Sequence, residues 1–131
     1  ARDGRVIVSK GYGTANAETK AENAAATKFR IGSLTKQFTS AAIMILQERG
    51  KLSVKDKACQ YLENCPASWS EITVHQLLTH TSGIPNYTAL PDWKTIKTKD
   101  LSPLQISESV RELPLKFKSG EDFEYSNTNY L

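Results

Sequence analysis

Between residues 33 and 49 the apolar positions Leu34, Phe38, Ala41, Ala42, Ile45 and Leu46 recur at helical spacing and define one face. Ile43 and Met44 carry apolar character onto the opposite flank, so this helix is apolar nearly all round. That is the pattern of a central helix with neighbours on several sides. Gly50 follows where a left-handed residue ends a helix. Two further helices are predicted, over residues 73–79, with the chain turning near Gly83, and over residues 102–113. In the second, Ser102 stands as N-cap, Pro103 takes the first helical position, Gln105 completes a capping box and Pro114 closes the element. Residues 87–100 read as loop, and a last helix is predicted to begin near Ser126.

The strand pattern is thinner. Asp3-Gly4 is a strong turn dipeptide, and Val6, Ile7 and Val8 after it read as a β-strand running towards Gly11-Tyr12-Gly13. A hairpin needs a strand before its turn, and only Ala1 and Arg2 stand there. One strand and a central helix call for a sheet that these residues do not supply, and half a hairpin is not stable alone. The expectation is a single partial domain over residues 1–131, a segment of a larger fold cut at both ends. Residues 1–32 form its strand region and residues 33–131 its helical region.

Composition narrows the classes. The chain has 131 residues, 39% hydrophobic and 24% charged, which suits one globular domain. A net charge of +3, with scattered lysines, gives no reason to expect a nucleic-acid partner. No apolar run approaches a membrane span, and the opening Ala1-Arg2-Asp3-Gly4 is not a signal peptide, although one removed earlier is compatible with it. Cys59 and Cys65 lie six positions apart with no second Cys/His pair, and His75 and His80 stand at i, i+5, so no metal site is expected. A disulfide, favoured in an exported protein, competes with two free thiols. The sequon Asn86-Tyr87-Thr88 reads as accidental.

Two short motifs carry candidate chemistry. In Ser33-Leu34-Thr35-Lys36 a serine opens the central helix with a lysine one turn along. Serine is a weak nucleophile that needs a base within hydrogen-bond reach, and an amine one helical turn away can swing back to it. The helix start also places the Ser33 N–H and the positive end of the dipole where an oxyanion would form. In Tyr125-Ser126-Asn127 a phenol can relay a proton, and an Asn amide can hold both a lysine and a substrate carbonyl. Alone, each motif is a weak signal: the first is more often a capping Ser with a solvated Lys, and the second also reads as a buried Tyr before a capping Ser.

Their surroundings change the weight. Residues 29–39 around the Ser-x-x-Lys, then Leu46-Gln47-Glu48-Arg49-Gly50-Lys51-Leu52, then Leu77-Leu78-Thr79-His80-Thr81-Ser82-Gly83-Ile84, then residues 117–127, resemble the serine β-lactamase and penicillin-binding-protein superfamily. The similarity is greatest to the branch of class C β-lactamases, D-alanyl-D-alanine carboxypeptidases and β-lactamase-like esterases. It runs over nearly the whole chain in the expected order, with 92 positions from Ser33 to Tyr125. The resemblance implies an α/β (α+β) fold of the β-lactamase/transpeptidase type, represented here by most of its helical part plus an N-terminal β-strand, the sheet being incomplete. It implies Ser33 as acylated nucleophile, Lys36 as its partner, Tyr125 as general base and later acid, and Asn127 as a contact for substrate and lysine.

The family's third motif, Lys-Thr-Gly or His-x-Gly on a later strand, is not matched. Lys118-Ser119-Gly120 lies five residues before Tyr125 and aligns with a turn there, and His80-Thr81-Ser82-Gly83 matches a helix-end turn. His80 is expected to be a structural hydrogen-bonder rather than a base. The implied chemistry is hydrolysis through an acyl-enzyme, without metal or cofactor, of a small-molecule ester, D-Ala peptide or β-lactam, in a periplasmic or secreted bacterial protein. The rival expectation is a non-catalytic binding module, or an inactive fragment, that keeps the fold. The chain by itself is not expected to be a competent enzyme. Without a sheet, several of Leu34, Phe38, Ile43, Met44, Ile45 and Leu46 should face water, leading to self-association or to complementation by the missing segments.

Overall fold

The computed structural model describes all 131 residues, Ala1–Leu131. They form two compact units, Ala1–Ser33 and Leu34–Leu131.

In the first unit, Arg2 and Arg5 exchange both backbone hydrogen bonds at 2.9 Å around Asp3 and Gly4. Both turn residues have positive φ, 48° and 74°, the two-residue geometry that Asp-Gly favours. A second narrow turn pairs Thr14 with Glu22 and is closed by the Asn23 N–H to the Gly13 carbonyl at 2.9 Å. The β-strand expected at Val6, Ile7 and Val8 does not form: pairing along the chain is confined to isolated bridges. A strand exists through the ladder of a neighbour, and these three side chains, 63–74% exposed, have none beside them.

The second unit is built from four α-helices, α1 (Thr35–Glu48), α2 (Val74–Leu78), α3 (Trp93–Ile96) and α4 (Pro103–Arg111), joined by 3-10 turns. Helix α1 ends as predicted, with Gly50 at φ 65°. It buries no residue: Leu34, Phe38, Met44, Ile45 and Leu46 are all exposed, as expected in the absence of a sheet rather than of a covered central helix. It is tied down at its C-terminal end, where Gln47 Oε1 accepts the Val54 N–H at 2.9 Å. The core lies elsewhere. Trp69, Ile72, Ile84 and Val110 pack together, and Leu77, Tyr87, Leu90 and Leu113 close around them. Cys59 and Cys65 are joined as a disulfide against this cluster.

Helices α2 and α4 both carry reciprocal capping boxes, Thr73 with Gln76 and Ser102 with Gln105. The predicted loop over residues 87–100 is more ordered than its composition suggested. It holds the 3-10 turn Tyr87–Ala89 and the helix α3, where Tyr87 and Trp93 meet edge to face with centroids 4.8 Å apart. The aromatic contact supplies what local propensity did not. The last predicted helix is the 3-10 turn Asn127–Tyr130, packed against α2.

Candidate active site

Helix α2 ends at Leu78 with Thr79 as its C-cap, and His80 then takes a left-handed conformation, φ 59°. This bend sends residues 80–83 alongside residues 116–124. The Lys116, Gly120 and Glu124 N–H groups donate to the Gly83, Thr81 and His80 carbonyls at 2.9, 2.8 and 3.1 Å. Gly83, at φ 79°, lies so close to Phe117 that a Cβ would run into its carbonyl oxygen. The arrangement delivers Tyr125, Ser126 and Asn127 onto the bend.

There the chain is held from below. The Ser126 N–H donates to His80 Nδ1 at 3.2 Å, and Asn129 Nδ2 lies 3.3 Å from the same nitrogen. Asn129 Oδ1 accepts the buried Ser82 hydroxyl at 2.7 Å, which leaves its NH2 group for the ring. Nδ1 is therefore an acceptor and the neutral ring carries its proton on Nε2. Burial, and next the nearby Lys36 charge, hold the His80 pKa below the ordinary 6.5. The ring lies 4.5 Å from Tyr125 and 5.3 Å from Tyr130, centroid to centroid. Such a histidine is committed to structure, as expected.

Above this floor, Lys36 Nζ, from the first turn of α1, donates to Asn127 Oδ1 at 2.8 Å. The Tyr125 hydroxyl donates to the same oxygen at 3.3 Å, and Lys36 Nζ stands 5.0 Å from the Tyr125 ring centroid. Tyr125 is 41% exposed. Lys36, Tyr125 and Asn127 thus converge within the second unit, although 91 positions separate the lysine from the asparagine. Ser33, the fourth predicted residue, is the last of the first unit, in the 3-10 turn Gly32–Leu34, and is exposed. The cluster is one ammonium and one phenol sharing a carbonyl, an arrangement able to move a proton and hold an acceptor.

Sequence reasoning missed three neighbours. Tyr130 bonds Ser40 of α1 at 2.9 Å and donates to the Leu78 carbonyl at 2.8 Å, joining α1 to α2. Asn86 and Thr88 contact Asn127. The only visible signal for that pair was the sequon, which points to a different chemistry. A cavity of about 260 Å³ among Leu62, Trp69, Ile72 and Leu104 belongs to the core and includes none of the cluster.

The family model described as Beta-lactamase matches residues 1–131, and the chain belongs to that family, within the serine β-lactamase and penicillin-binding-protein superfamily. Protein flp of Staphylococcus aureus (strain NCTC 8325 / PS 47) is 35% identical over 133 residues, covering 98% of this chain and 26% of its own length. Among solved structures, the penicillin binding protein from Bacillus halodurans aligns with a TM-score of 0.76 at 32% identity, over 90% of this chain and 38% of that one. The D-amino acid amidase from Ochrobactrum anthropi SV3, complexed with L-phenylalanine, aligns with a TM-score of 0.76 at 26% identity, over 90% and 32%. The chain spans about a quarter of the length of the curated relative quoted.

Proposed function

We propose that this chain is the helical part, within one α/β catalytic domain, of a serine hydrolase that acts through an acyl-enzyme on an ester or amide. Ser33 is the nucleophile, and Lys36 and Tyr125 form its proton relay. With its own proton lost beside the Lys36 ammonium, the Tyr125 phenolate takes the serine proton as Ser33 attacks the carbonyl carbon, and the phenol so formed returns that proton to the leaving group. Water then takes the place of the leaving group, and the same relay serves the second half-reaction. Asn127 holds Lys36 through its carbonyl and contacts the substrate. The observation that supports this most is the 2.8 Å bond from Lys36 to Asn127, which gathers both motifs around one oxygen.

The relatives' own names support one substrate class. One solved relative is named a penicillin binding protein and another a D-amino acid amidase, which supports a D-amino-acid amide or ester as the substrate. The Cys59–Cys65 disulfide supports a periplasmic or secreted location. The test is labelling of the full-length polypeptide with a fluorophosphonate and with a fluorescent penicillin, followed by peptide mapping. Adduct on Ser33 is the expected result. Absence of adduct with both probes, in a folded protein, would replace this reading with a non-catalytic binding module.

A further inference from the structure

Asn86 and Thr88 are turned inward onto Asn127 rather than displayed as a sequon. Asn86 Oδ1 accepts the Asn127 N–H at 3.1 Å and Asn127 Nδ2 at 3.4 Å. It also accepts the Thr88 N–H at 3.3 Å and the Thr88 hydroxyl at 3.0 Å. Because that hydroxyl gives its proton to Asn86, it presents lone pairs to its other neighbour, and Asn127 Nδ2 lies 3.3 Å away on that side. The opposite end of the same amide, Oδ1, takes Lys36 Nζ and the Tyr125 hydroxyl.

The network admits one orientation of the amide. Turned over, Asn127 Oδ1 would oppose the Asn86 oxygen, and its NH2 group would oppose the lysine ammonium, which can only donate. Two acceptors on one side and donors on the other select the observed arrangement, as such networks do for any buried amide.

We propose that Asn86, with Thr88, is a positioning residue of the acylation site: it fixes the Asn127 amide so that one carbonyl oxygen faces both Lys36 and Tyr125. Asn86 does not itself reach the reacting atoms. Its effect is transmitted through Asn127, and it rests on the acyl-enzyme reading given above. Without the Asn86 acceptor the amide can rotate, and the lysine and the phenol lose the oxygen that gathers them.

The experiment uses the full-length polypeptide and measures the rate at which a fluorophosphonate phosphonylates the Ser33 hydroxyl with loss of fluoride, read as a mass shift on Ser33. Asn86→Leu removes the acceptor and is expected to slow this labelling by roughly ten- to a hundredfold, the scale of a small misplacement in a catalytic group. Asn86→Asp keeps an acceptor oxygen in place and is expected to stay within about threefold of wild type. In an Asn127→Ala background, Asn86→Leu should cost nothing further, because the residue it acts through is gone. A wild-type rate in Asn86→Leu, or an equal loss in both backgrounds, overturns the proposal. Should Asn86→Leu fail to fold by circular dichroism, Thr88→Val carries the test, and a wild-type rate there overturns it equally. If wild-type protein takes no label on Ser33, the acyl-enzyme reading falls first and the positioning role falls with it. If wild type labels and the variants match it, only the positioning role falls.

Discussion

His80 and Tyr125 lie with their ring centroids 4.5 Å apart and their planes tilted by 35°, and the backbone N–H of the intervening motif residue, Ser126, donates to the imidazole. Only a neutral ring offers the lone pair that this bond needs. The His80 pKa is held below 6.5 by burial and by Lys36, whereas in the unfolded chain it returns to the ordinary value. Between the two values the unfolded chain binds more protons, so stability rises with pH across that window. The contribution is complete above about pH 6.5 and is lost as pH falls through the depressed value of the folded state. His80→Asn, whose amide oxygen can accept the same N–H without titrating, should flatten the acid side of the stability profile. Denaturant midpoints measured from about pH 4 to about pH 8 decide it. Parallel profiles for the two proteins would remove His80 from the pH dependence.

Replacing Ser33 tests the nucleophile alone. Ser33→Ala should abolish adduct formation while far-ultraviolet circular dichroism stays that of wild type. The turn Gly32–Leu34 buries no residue, and Leu34 rather than Ser33 occupies the N-cap of α1, so the change takes no side-chain cap from the helix. Turnover of a p-nitrophenyl ester at the wild-type rate by this variant would exclude Ser33.

Lys36 and Tyr125 bond one oxygen, Asn127 Oδ1, and are therefore expected to fail as a unit. Lys36→Ala and Tyr125→Phe should each reduce the acylation rate by roughly a thousandfold or more, and the double variant by little beyond either. Multiplying losses in the double variant would mean that the two side chains act independently.

How far these features could be read from the sequence differs by element. The capping box at Ser102 and the cap at Gly50 were legible because their signals are local and physically sufficient, whereas the box at Thr73 emerges only in the structure. The strand at Val6 was misread because β-propensity describes a residue's fit to a sheet, and no sheet is present to receive it. The order in residues 87–100 comes from Tyr87 meeting Trp93, a tertiary contact that propensity does not encode. Lys36, Tyr125 and Asn127 were named through a resemblance spanning the chain, whereas Asn86 depends on a contact across 41 positions that no local pattern marks.

Gly83 should be among the least replaceable residues of the second unit. Its φ of 79° disfavours any side chain, and a Cβ would strike the Phe117 carbonyl oxygen. Left-handed strain and overpacking together are expected to cost Gly83→Ala about 2–4 kcal/mol. The damage should also reach the site, because the Lys116 N–H bonds the Gly83 carbonyl on the strip that leads to Tyr125. Thermal unfolding reads the first effect and the acylation rate the second. A variant as stable as wild type would show that the strip can shift without loss.

The 131-residue polypeptide alone should associate through α1. Leu34, Phe38 and Ile45 follow one another along a single face of the helix and are 61%, 64% and 46% exposed. Ala41 and Ala42 lie between them, so the face is continuous and free of charge. Burying a large apolar side chain contributes about 1.5–3 kcal/mol, and three of them on one stripe favour pairing at micromolar concentration unless another surface covers them first. Of the two charged residues of α1, Lys36 is bonded to Asn127 and Glu48 stands at the last position of the helix. Phe38→Gln and Ile45→Gln in combination should shift the polypeptide to a smaller species in analytical ultracentrifugation. Helix content should be retained, because glutamine is a good helix former and neither side chain is part of the core. A wild-type polypeptide that sediments as a monomer at all concentrations would show that this face tolerates water.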